Sequence, residues 1–306
     1  MNVLITGGAG YLGTELLKEL SKNPAVDKIK VYDNLGRDNY AMFTGHKYAN
    51  HEKITFINGE LLDSRRLLKA MKDIDVVYHL AAKVTTPMAN VDPHYFEQVN
   101  HWGTAEMVYA AEQSGVKHFI YSSSIGIYGG ASEEIDENTE PNPRTFYAVS
   151  KFRGEEHVAR LEGKMKMHII RCGNMFGFSK SMRFDSVINK FVFESNFSKM
   201  ISIHGTGKQS RSFLHIDHAA DIFNRIITTD VPSGIYNLVE HNLAILDIVD
   251  ILKAVNPDLE FIFINQHLKL RNIKVKTSLK LSEHMELNFV TSFEDQIKSF
   301  HERFSF

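Results

Sequence analysis

The sequence predicts an α/β fold, in which a doubly wound parallel sheet is followed by a smaller carboxyl-terminal lobe. Two observations favour this class. Short apolar runs alternate with amphipathic stretches through the first half of the chain, as in strand–helix–strand units. The periodicity weakens after residue 171, so we expect one unit over 1–172 and a mainly separate lobe over 173–306, with some later segments returning to the first unit.

The first unit is expected to contain six strands and three main helices. Apolar runs bounded by turn residues predict strands at residues 3–6, 29–32, 55–57, 76–80, 118–122 and 168–171. Amphipathic stretches predict helices at residues 14–21, 64–71 and 93–113. For the third helix the sequence also predicts an Asp92 cap before Pro93 and a stop at Ser114-Gly115. A proline-punctuated loop over 138–145 should lead into a helix that carries Tyr147.

The composition excludes several classes of function. The chain has 43% hydrophobic and 24% charged residues, and its formal charge of −2 offers no basic surface for nucleic acid or an anionic membrane. No apolar run is long enough to span a bilayer, and the amino terminus lacks the pattern of a signal peptide. Cys172 is the single cysteine and is expected to be a small core residue. We therefore expect a cytoplasmic enzyme.

A glycine-rich turn follows the first predicted strand and precedes the first helix. Gly8-x-Gly10-x-x-Gly13 in this context is typical of a dinucleotide site, because glycines let backbone amides approach a pyrophosphate at a helix amino terminus. Asp33 follows the second strand, where a carboxylate accepts hydrogen bonds from the adenosine ribose and repels a 2′-phosphate. The pattern favours NAD over NADP, although the nearby Arg37 could weaken that preference.

Other polar residues near the predicted strands need separate interpretation. Asp63, after the third strand, is either an adenine contact or the N-cap of the next helix. His79 lies in a buried-strand context and is expected to be a structural histidine held by backbone groups rather than a base. His215 and His218 lack a further ligand at metal-site spacing, so we predict no metal.

Tyr147 and Lys151 stand four residues apart, which on a helix places a phenol and an ammonium on one face. A phenol with a pKa near 10 is a poor base, and a neighbouring positive charge favours its phenolate. Ser122, Ser123 and Ser124 close an apolar strand, at the edge of a parallel sheet where ligands bind. With the glycine turn, the pair indicates a hydride-transfer site.

Taken in order, these motifs resemble the extended short-chain dehydrogenase/reductase family, and within it the NAD-dependent nucleotide-sugar epimerases and dehydratases. The matching pieces are GGAGYLG at 7–13, Asp33, HLAA at 79–82, SSSIGIYG at 122–129, YAVSK at 147–151, RCGNMFG at 171–177 and GTGKQSRSFLHID at 205–217. The resemblance implies a Rossmann-type first unit, a substrate-binding carboxyl-terminal lobe, NAD as cofactor and a nucleotide-diphosphate sugar as substrate. It also implies a homodimer formed through the helices at 93–113 and 147–161.

The resemblance further implies roles for individual residues. Tyr147 is expected to be the acid/base, Lys151 its electrostatic partner and a ligand of the nicotinamide ribose, and Ser124 a hydrogen-bond partner of the reacting oxygen. The implied cofactor contacts are Gly7, Gly10, Tyr11, Leu12, Gly13, Asp33, Asn34, Asp63, Leu80, Ala81, Ala82, Asn100, Tyr147 and Lys151. The implied substrate contacts are Lys83 and Thr85 beside the hexose, Ser124 at the reacting carbon, and Asn174 and Arg211 at the diphosphate.

Several reactions are compatible with this site, and the residues after Ser124 separate some of them. The resembling dehydratases carry Asp-Glu after the active-site hydroxyl residue, and decarboxylases carry a Glu in the same stretch, whereas here Ile125-Gly126 follows. A nucleotide-sugar 4-epimerase working through a transient 4-keto sugar is therefore the expected activity. A 4-dehydrogenase or reductase with net redox change is the alternative. Relatives acting on threonine or steroids, or a non-catalytic NAD-sensing protein, are less favoured.

Overall fold

The computed structural model describes residues 1–45, 47–84, 92–130, 133–267, 270–277 and 279–304. Within them the strands are β1 (Asn2–Thr6), β2 (Lys28–Asp33), β3 (Ile54–Asn58), β4 (Val76–His79), β5 (His118–Ser124), β6 (Lys166–Cys172), β7 (Asn174–Phe176), β8 (Met200–His204), β9 (Ser210–His215), β10 (Gly234–Leu238), β11 (His241–Ala244) and β12 (Glu260–Ile264). The α-helices are α1 (Tyr11–Lys22), α2 (Ala41–Thr44), α3 (Ser64–Ala70), α4 (Pro93–Phe96), α5 (Gly103–Ser114), α6 (Phe146–Ala159), α7 (Val187–Phe197), α8 (Ile216–Arg225), α9 (Ile245–Val255) and α10 (Phe293–Glu302). None of these helices combines the length and apolar character needed to cross a bilayer.

In the described part of the chain, seven strands form one sheet in the order β10-β6-β5-β4-β1-β2-β3, and all of its strand pairs are parallel. The six strands predicted from the sequence are confirmed. β10 comes from the second half of the chain and pairs in parallel with β6. The strand order reverses beside β1, and open α/β sheets bind their ligands at such a point.

Apolar side chains cover both faces of this sheet, which explains why its strands are nearly continuous apolar runs. Val3 and Ile5 of β1 face a core shared with α1 and α8, whereas Leu4 between them faces a second core shared with α3, α5 and α6. This alternation follows from the period of two residues in a strand. Because both faces are covered, the loops at the strand ends form the functional site.

The helix predicted over 93–113 is present, and it contains an irregular turn. Asp92 caps its start by accepting a hydrogen bond from the Tyr95 amide at 3.1 Å, and Gly115 ends it with a φ of +70°. Between α4 and α5, residues Glu97–Trp102 form a turn of π-helix. Turns of this kind are frequent at functional sites, and this one carries the buried Asn100.

The later part of the chain is more regular than its sequence pattern indicates. Two small sheets, β11-β9-β7 and β12-β8, pack with α7 to α10. The segment 270–277 then connects this lobe with the first unit. The Ile273 amide donates to the Ser210 carbonyl of β9 at 3.1 Å, and the Ile135 amide donates to the Lys274 carbonyl at 2.9 Å. The division of the chain at residue 172 stays a prediction.

Candidate active site

The glycine turn after β1 packs tightly against the loop after β4. Gly7 has a φ of +72°, and a Cβ there would lie 2.6 Å from Cα of Ala81, so this approach requires glycine. At Gly10 a Cβ would meet only the Gly7 carbonyl, at 3.1 Å. Gly10 is also the N-cap of α1 and provides no side-chain cap. The first amides of α1 are thus left for an external acceptor, and the turn fits a pyrophosphate.

Asp33, at the end of β2, is held by backbone amides on both carboxylate oxygens. Oδ2 accepts from the Ala9 amide at 3.0 Å and Oδ1 from the Leu35 amide at 2.8 Å. Burial raises the pKa of Asp33, and the Leu35 hydrogen bond opposes this. Each oxygen keeps a lone pair for a ribose hydroxyl, so the carboxylate fits NAD. The Arg37 guanidinium lies 3.8 Å from the Asp185 carboxylate, which also pairs with Arg183.

Other residues predicted to contact the cofactor are engaged within the protein. Asn34 donates to the Glu60 carboxylate at 3.0 Å. Asp63 caps α3 by accepting the amide three residues along the chain at 3.1 Å, so its interpretation as an N-cap is confirmed. Asn100 holds the Lys83 backbone through both ends of its amide, at 2.7 and 2.9 Å. These residues form a framework around the site, and their contact with a cofactor stays a prediction.

Tyr147 lies in the first turn of α6, which Thr145 caps by accepting a backbone hydrogen bond at 3.1 Å. The Ser124 hydroxyl at the end of β5 acts on the pKa of the Tyr147 phenol, so the structure brings these two predicted residues near each other. Burial raises the pKa of Tyr147, and the Arg183 guanidinium and the Ser124 hydrogen bond oppose this. The Arg183 guanidinium thus favours the phenolate, and the same effect of Lys151 stays a prediction.

Lys151 lies one turn along α6 from Tyr147 and is only 2% exposed. Burial lowers the pKa of its ammonium to about 7, and Glu155 opposes this. Nζ lies over the Tyr121 ring, 4.0 Å from its centroid. The buried Cys172 thiol of β6 acts on the pKa of both Tyr147 and Lys151 and raises it in each case. Cys172 is a core residue, as predicted.

A buried ion pair lies beneath these residues. Arg171 of β6 and Glu155 of α6 have side chains that are each 4% exposed, and Arg171 Nη2 lies 2.7 Å from Glu155 Oε2. Ser123 of β5 donates to Glu155 Oε1 at 2.5 Å, and Arg171 Nη1 donates to the Tyr128 hydroxyl at 2.8 Å. The pair therefore ties α6 to β5, to β6 and to the turn that follows Ser124.

The residues predicted to bind a diphosphate lie on neighbouring strands of the carboxyl-terminal lobe. Arg211 of β9 is half-buried, and burial lowers its pKa. Its guanidinium donates to the Ser210 carbonyl at 2.9 Å and to the carbonyl of Arg271. Asn174 of β7, which pairs with β9, is exposed and donates to the Ser212 carbonyl at 3.1 Å. The structure thus brings both residues to one surface.

Of the residues predicted beside the hexose, the structure describes Lys83 but not Thr85. Lys83 Nζ lies over the Tyr95 ring, 4.7 Å from its centroid, on the side of α4. Thr85 lies outside the described residues, so its role stays a prediction.

Sequence reasoning missed the residues that join Tyr11, at the glycine turn, to the segment after β7. Tyr11 donates from its hydroxyl to the Gly177 carbonyl at 2.5 Å. Asn189 of α7 accepts from the Gly177 amide at 3.1 Å and donates to the Arg183 carbonyl at 3.0 Å. Arg183 also pairs with Asp185 at 2.8 Å. The available signal was a charged pair, Arg183 and Asp185, inside an otherwise irregular stretch.

Arg271 was also missed, because the segment that carries it shows no periodicity. Its carbonyl accepts from Arg211, and its guanidinium reaches the Gly129 carbonyl at 3.4 Å. The Arg211 guanidinium therefore lies beside the backbone of Arg271, whose own guanidinium reaches the turn that follows Ser124. This arrangement suits the two phosphates of a nucleoside diphosphate.

His79 is a structural histidine, as predicted, but side chains rather than backbone groups hold it. Its Nδ1 lies 2.7 Å from Thr6 Oγ1 and its Nε2 lies 2.9 Å from Thr104 Oγ1. Burial lowers the pKa of His79 well below its usual value, so the ring is neutral. His218 pairs instead with the buried Glu240 at 3.0 Å. Among the described residues, no group of three ligand-type side chains could hold a metal ion.

Comparisons with known proteins agree on one group of enzymes. A family model, the "NAD dependent epimerase/dehydratase family", matches residues 3–238. A dTDP-D-glucose 4,6-dehydratase of Mus musculus is 32% identical over 242 residues, which cover 77% of this chain and 67% of the mouse protein. A putative UDP-glucose 4-epimerase of Methanocaldococcus jannaschii is 29% identical over 225 residues, 71% of this chain and 70% of that protein. The crystal structure of a UDP-glucuronic acid 4-epimerase from Bacillus cereus, in complex with UDP-glucuronic acid and NAD, shares the fold with a TM-score of 0.87 at 24% identity, over 99% of this chain and 98% of that one.

Replacing Glu155 with Gln should destabilise the protein strongly. The substitution leaves the Arg171 charge buried without its partner, and breaking a buried pair in this way costs about 3–5 kcal/mol. The free energy of unfolding, measured with urea, should fall by that amount. Glu19→Gln is the matched control, because it breaks the partly exposed Lys22–Glu19 pair and should cost about 1 kcal/mol or less. Equal costs for the two variants would contradict the structural role of the buried pair.

Proposed function

The chain belongs to the NAD-dependent epimerase/dehydratase family, and on that premise we propose that it is a nucleotide-sugar 4-epimerase working through a transient 4-keto sugar. Members of the family are NAD-dependent enzymes, and NAD is the cofactor. The open side of Gly10 and the anchored Asp33 carboxylate fit this dinucleotide. The choice of reaction rests on one observation, the apolar segment that follows Ser124.

This segment supplies no acid or base. Ile125 and Ile127 are buried, and the Gly126 amide between them donates to Ser124 Oγ at 3.1 Å. Among the described groups that act on Tyr147 there is no carboxylate, and residues 85–91 and 131–132 contain no Asp or Glu. Elimination of water needs an acid and a base in addition to the hydride-transfer residues. Their absence from this part of the site supports epimerisation rather than dehydration.

The described residues account for the proton transfers of an epimerase. Bound NAD supplies the hydride acceptor and donor for the sugar carbon. Tyr147 takes the proton of the 4-hydroxyl and returns it after the keto sugar has turned over, while the Ser124 hydroxyl donates a hydrogen bond to the same oxygen. Burial disfavours the phenolate, and Arg183 offsets part of that cost. Tyr147 thus serves as a single proton shuttle for both half-reactions.

The substrate's diphosphate is bound by Arg211 and Arg271. In the described part of the chain neither guanidinium forms an ion pair with a carboxylate, and both use backbone carbonyls as partners. A diphosphate offers stronger, charge-assisted hydrogen bonds than a carbonyl does. The sugar then extends from this surface toward Ser124 and Tyr147 at the edge of the sheet.

The alternative activity is an NAD-dependent 4-dehydrogenase or reductase, because the same Ser124, Tyr147 and Lys151 could carry out a single oxidation or reduction. The two activities differ in whether the hydride returns to the same molecule. The similarity to dehydratases makes a third product, the 4-keto-6-deoxy sugar, a necessary part of any assay.

Product analysis separates these activities. The purified protein is incubated with UDP-, GDP-, CDP- and dTDP-sugars, and the products and nucleotides are identified by mass spectrometry and NADH absorbance. We expect interconversion of 4-epimers with no net NADH. Net NADH formation on turnover would establish the dehydrogenase instead, and loss of water from the sugar would establish a dehydratase.

Replacing Tyr147 with Phe should lower turnover by at least about 100-fold, because the phenol is the only proton shuttle in the proposed mechanism. NAD released on denaturation should be unchanged, since the ring remains in place. Tyr109→Phe on the exposed face of α5 is the matched control and should leave turnover unchanged. Normal turnover of the Tyr147 variant would refute its catalytic assignment.

We also propose that the protein is a homodimer formed through α5 and α6. Trp102, Tyr109 and Phe146, on or beside these helices, are 55%, 52% and 45% exposed, which is typical of an interface. Tyr109→Glu should shift the sedimentation coefficient from dimer to monomer, whereas Phe197→Glu, at an equally exposed phenylalanine of α7, should not. A monomeric wild-type protein would overturn this proposal. The cytoplasmic location stays a prediction.

A further inference from the structure

Among the described groups that attract a cation, the one closest to the Lys151 ammonium is an aromatic ring and not a carboxylate. Nζ lies 4.0 Å from the centroid of the Tyr121 ring, and both residues are almost completely buried. An aromatic face carries negative electrostatic potential and attracts a cation within about 6 Å of its centroid. This attraction is strongest where water is excluded, as it is here.

The other groups around Lys151 do not replace the ring. Glu155, one turn along α6, attracts the ammonium but is committed to Ser123 and Arg171, whose positive charge opposes its effect. Cys172 of β6 is a neutral thiol, because burial raises its pKa to about 12. His79 of β4 is also neutral, because burial lowers its pKa well below its usual value. No group from β4 or β6 among these provides a full negative charge.

Tyr121 is held firmly in this position. Its hydroxyl donates to the Lys151 carbonyl at 3.3 Å, so the ring and the helix that carries Lys151 are joined at two points. His79 stacks beside the ring with centroids 5.5 Å apart and an interplanar angle of 20°. Gly154 of α6 leaves the space in which the hydroxyl lies, because a Cβ there would overlap it.

We propose that Tyr121 is a positioning residue for the catalytic site, whose ring face keeps the buried ammonium of Lys151 charged and holds it in place. Nothing in the sequence motif indicates this role, since Tyr121 lies before the Ser122–Ser124 hydroxyls and points into the core below them. The inference rests on the proposed function through Lys151, for which the family resemblance implies an electrostatic role beside Tyr147 and a contact with the nicotinamide ribose. It concerns the protonation of Lys151, and it can be measured without any substrate.

The test compares residues at position 121 that keep or remove the ring. Protein labelled with ε-¹³C-lysine is titrated by NMR, and the Lys151 signal is assigned by its absence from Lys151→Arg protein. Tyr121→Phe keeps the ring face and should leave the pKa of Lys151 close to its wild-type value. Tyr121→Leu removes the face and should lower that pKa by about one unit, the amount expected from a desolvated cation–π contact.

Because the leucine variant also opens a cavity and could unfold, a second series keeps the shape of the ring. Phenylalanine at position 121 is replaced by its mono-, di- and trifluorinated forms, which progressively withdraw electron density from the face. The pKa of Lys151 should fall stepwise along the series. An equal pKa of Lys151 in all fluorinated forms would overturn the proposal, because the ring would then only fill space. An equal fall of that pKa in the Phe and Leu variants would also overturn it, because Tyr121 would then act through its hydroxyl.

These outcomes are independent of the reaction. If the product analysis excludes epimerisation while the pKa of Lys151 follows the ring, the proposed function fails and the inference about Tyr121 stands. If epimerisation is found and the pKa does not follow the ring, the inference alone fails.

Discussion

The buried ion pair between Glu155 and Arg171 is the constraint on which the geometry of the site depends. It joins α6, the helix that presents Tyr147 and Lys151, to β6, and through Ser123 to β5 one residue before Ser124. The reacting groups therefore come from α6 and β5, and buried charge-assisted hydrogen bonds fix the position of one element relative to the other. Apolar side chains of similar volume could stabilise these elements as well, so we interpret the role of the pair as geometric.

Burial has opposite effects on the two titratable groups that this arrangement presents. It raises the pKa of Tyr147 and lowers that of Lys151, and thus favours the neutral form of each. The groups that counteract burial come from different parts of the chain, Arg183 for the phenol and Glu155 for the ammonium. Asn189 donates hydrogen bonds to the carbonyl of Arg183 and to the hydroxyl of Tyr11. The position of the segment after β7 is therefore coupled to the glycine turn and, through Arg183, to the pKa of Tyr147.

Features with a fixed local pattern could be predicted from the sequence, and features that depend on packing between distant segments could not. The six strands were found because strands buried on both faces are apolar runs, and the ends of the helix at 93–114 were found because Asp92 and Gly115 have specific backbone roles. Arg271 and Asn189 act across contacts that no local periodicity encodes. The partners of His79 were predicted wrongly for the same reason, since Thr6 is 73 residues away.

Gly154 shows how one side chain restricts the choice of residue at another position. It stands on α6 where any β-carbon would collide with the Tyr121 hydroxyl, and it also closely approaches the Asn100 carbonyl, 3.0 Å from the place of that β-carbon. A glycine in the interior of a helix lowers the stability of that helix, and here the glycine lies directly before Glu155. Among homologues, tyrosine at position 121 should therefore occur together with glycine at position 154. Where phenylalanine replaces the tyrosine, the collision with the hydroxyl disappears and alanine becomes better tolerated, so the two alignment columns should covary.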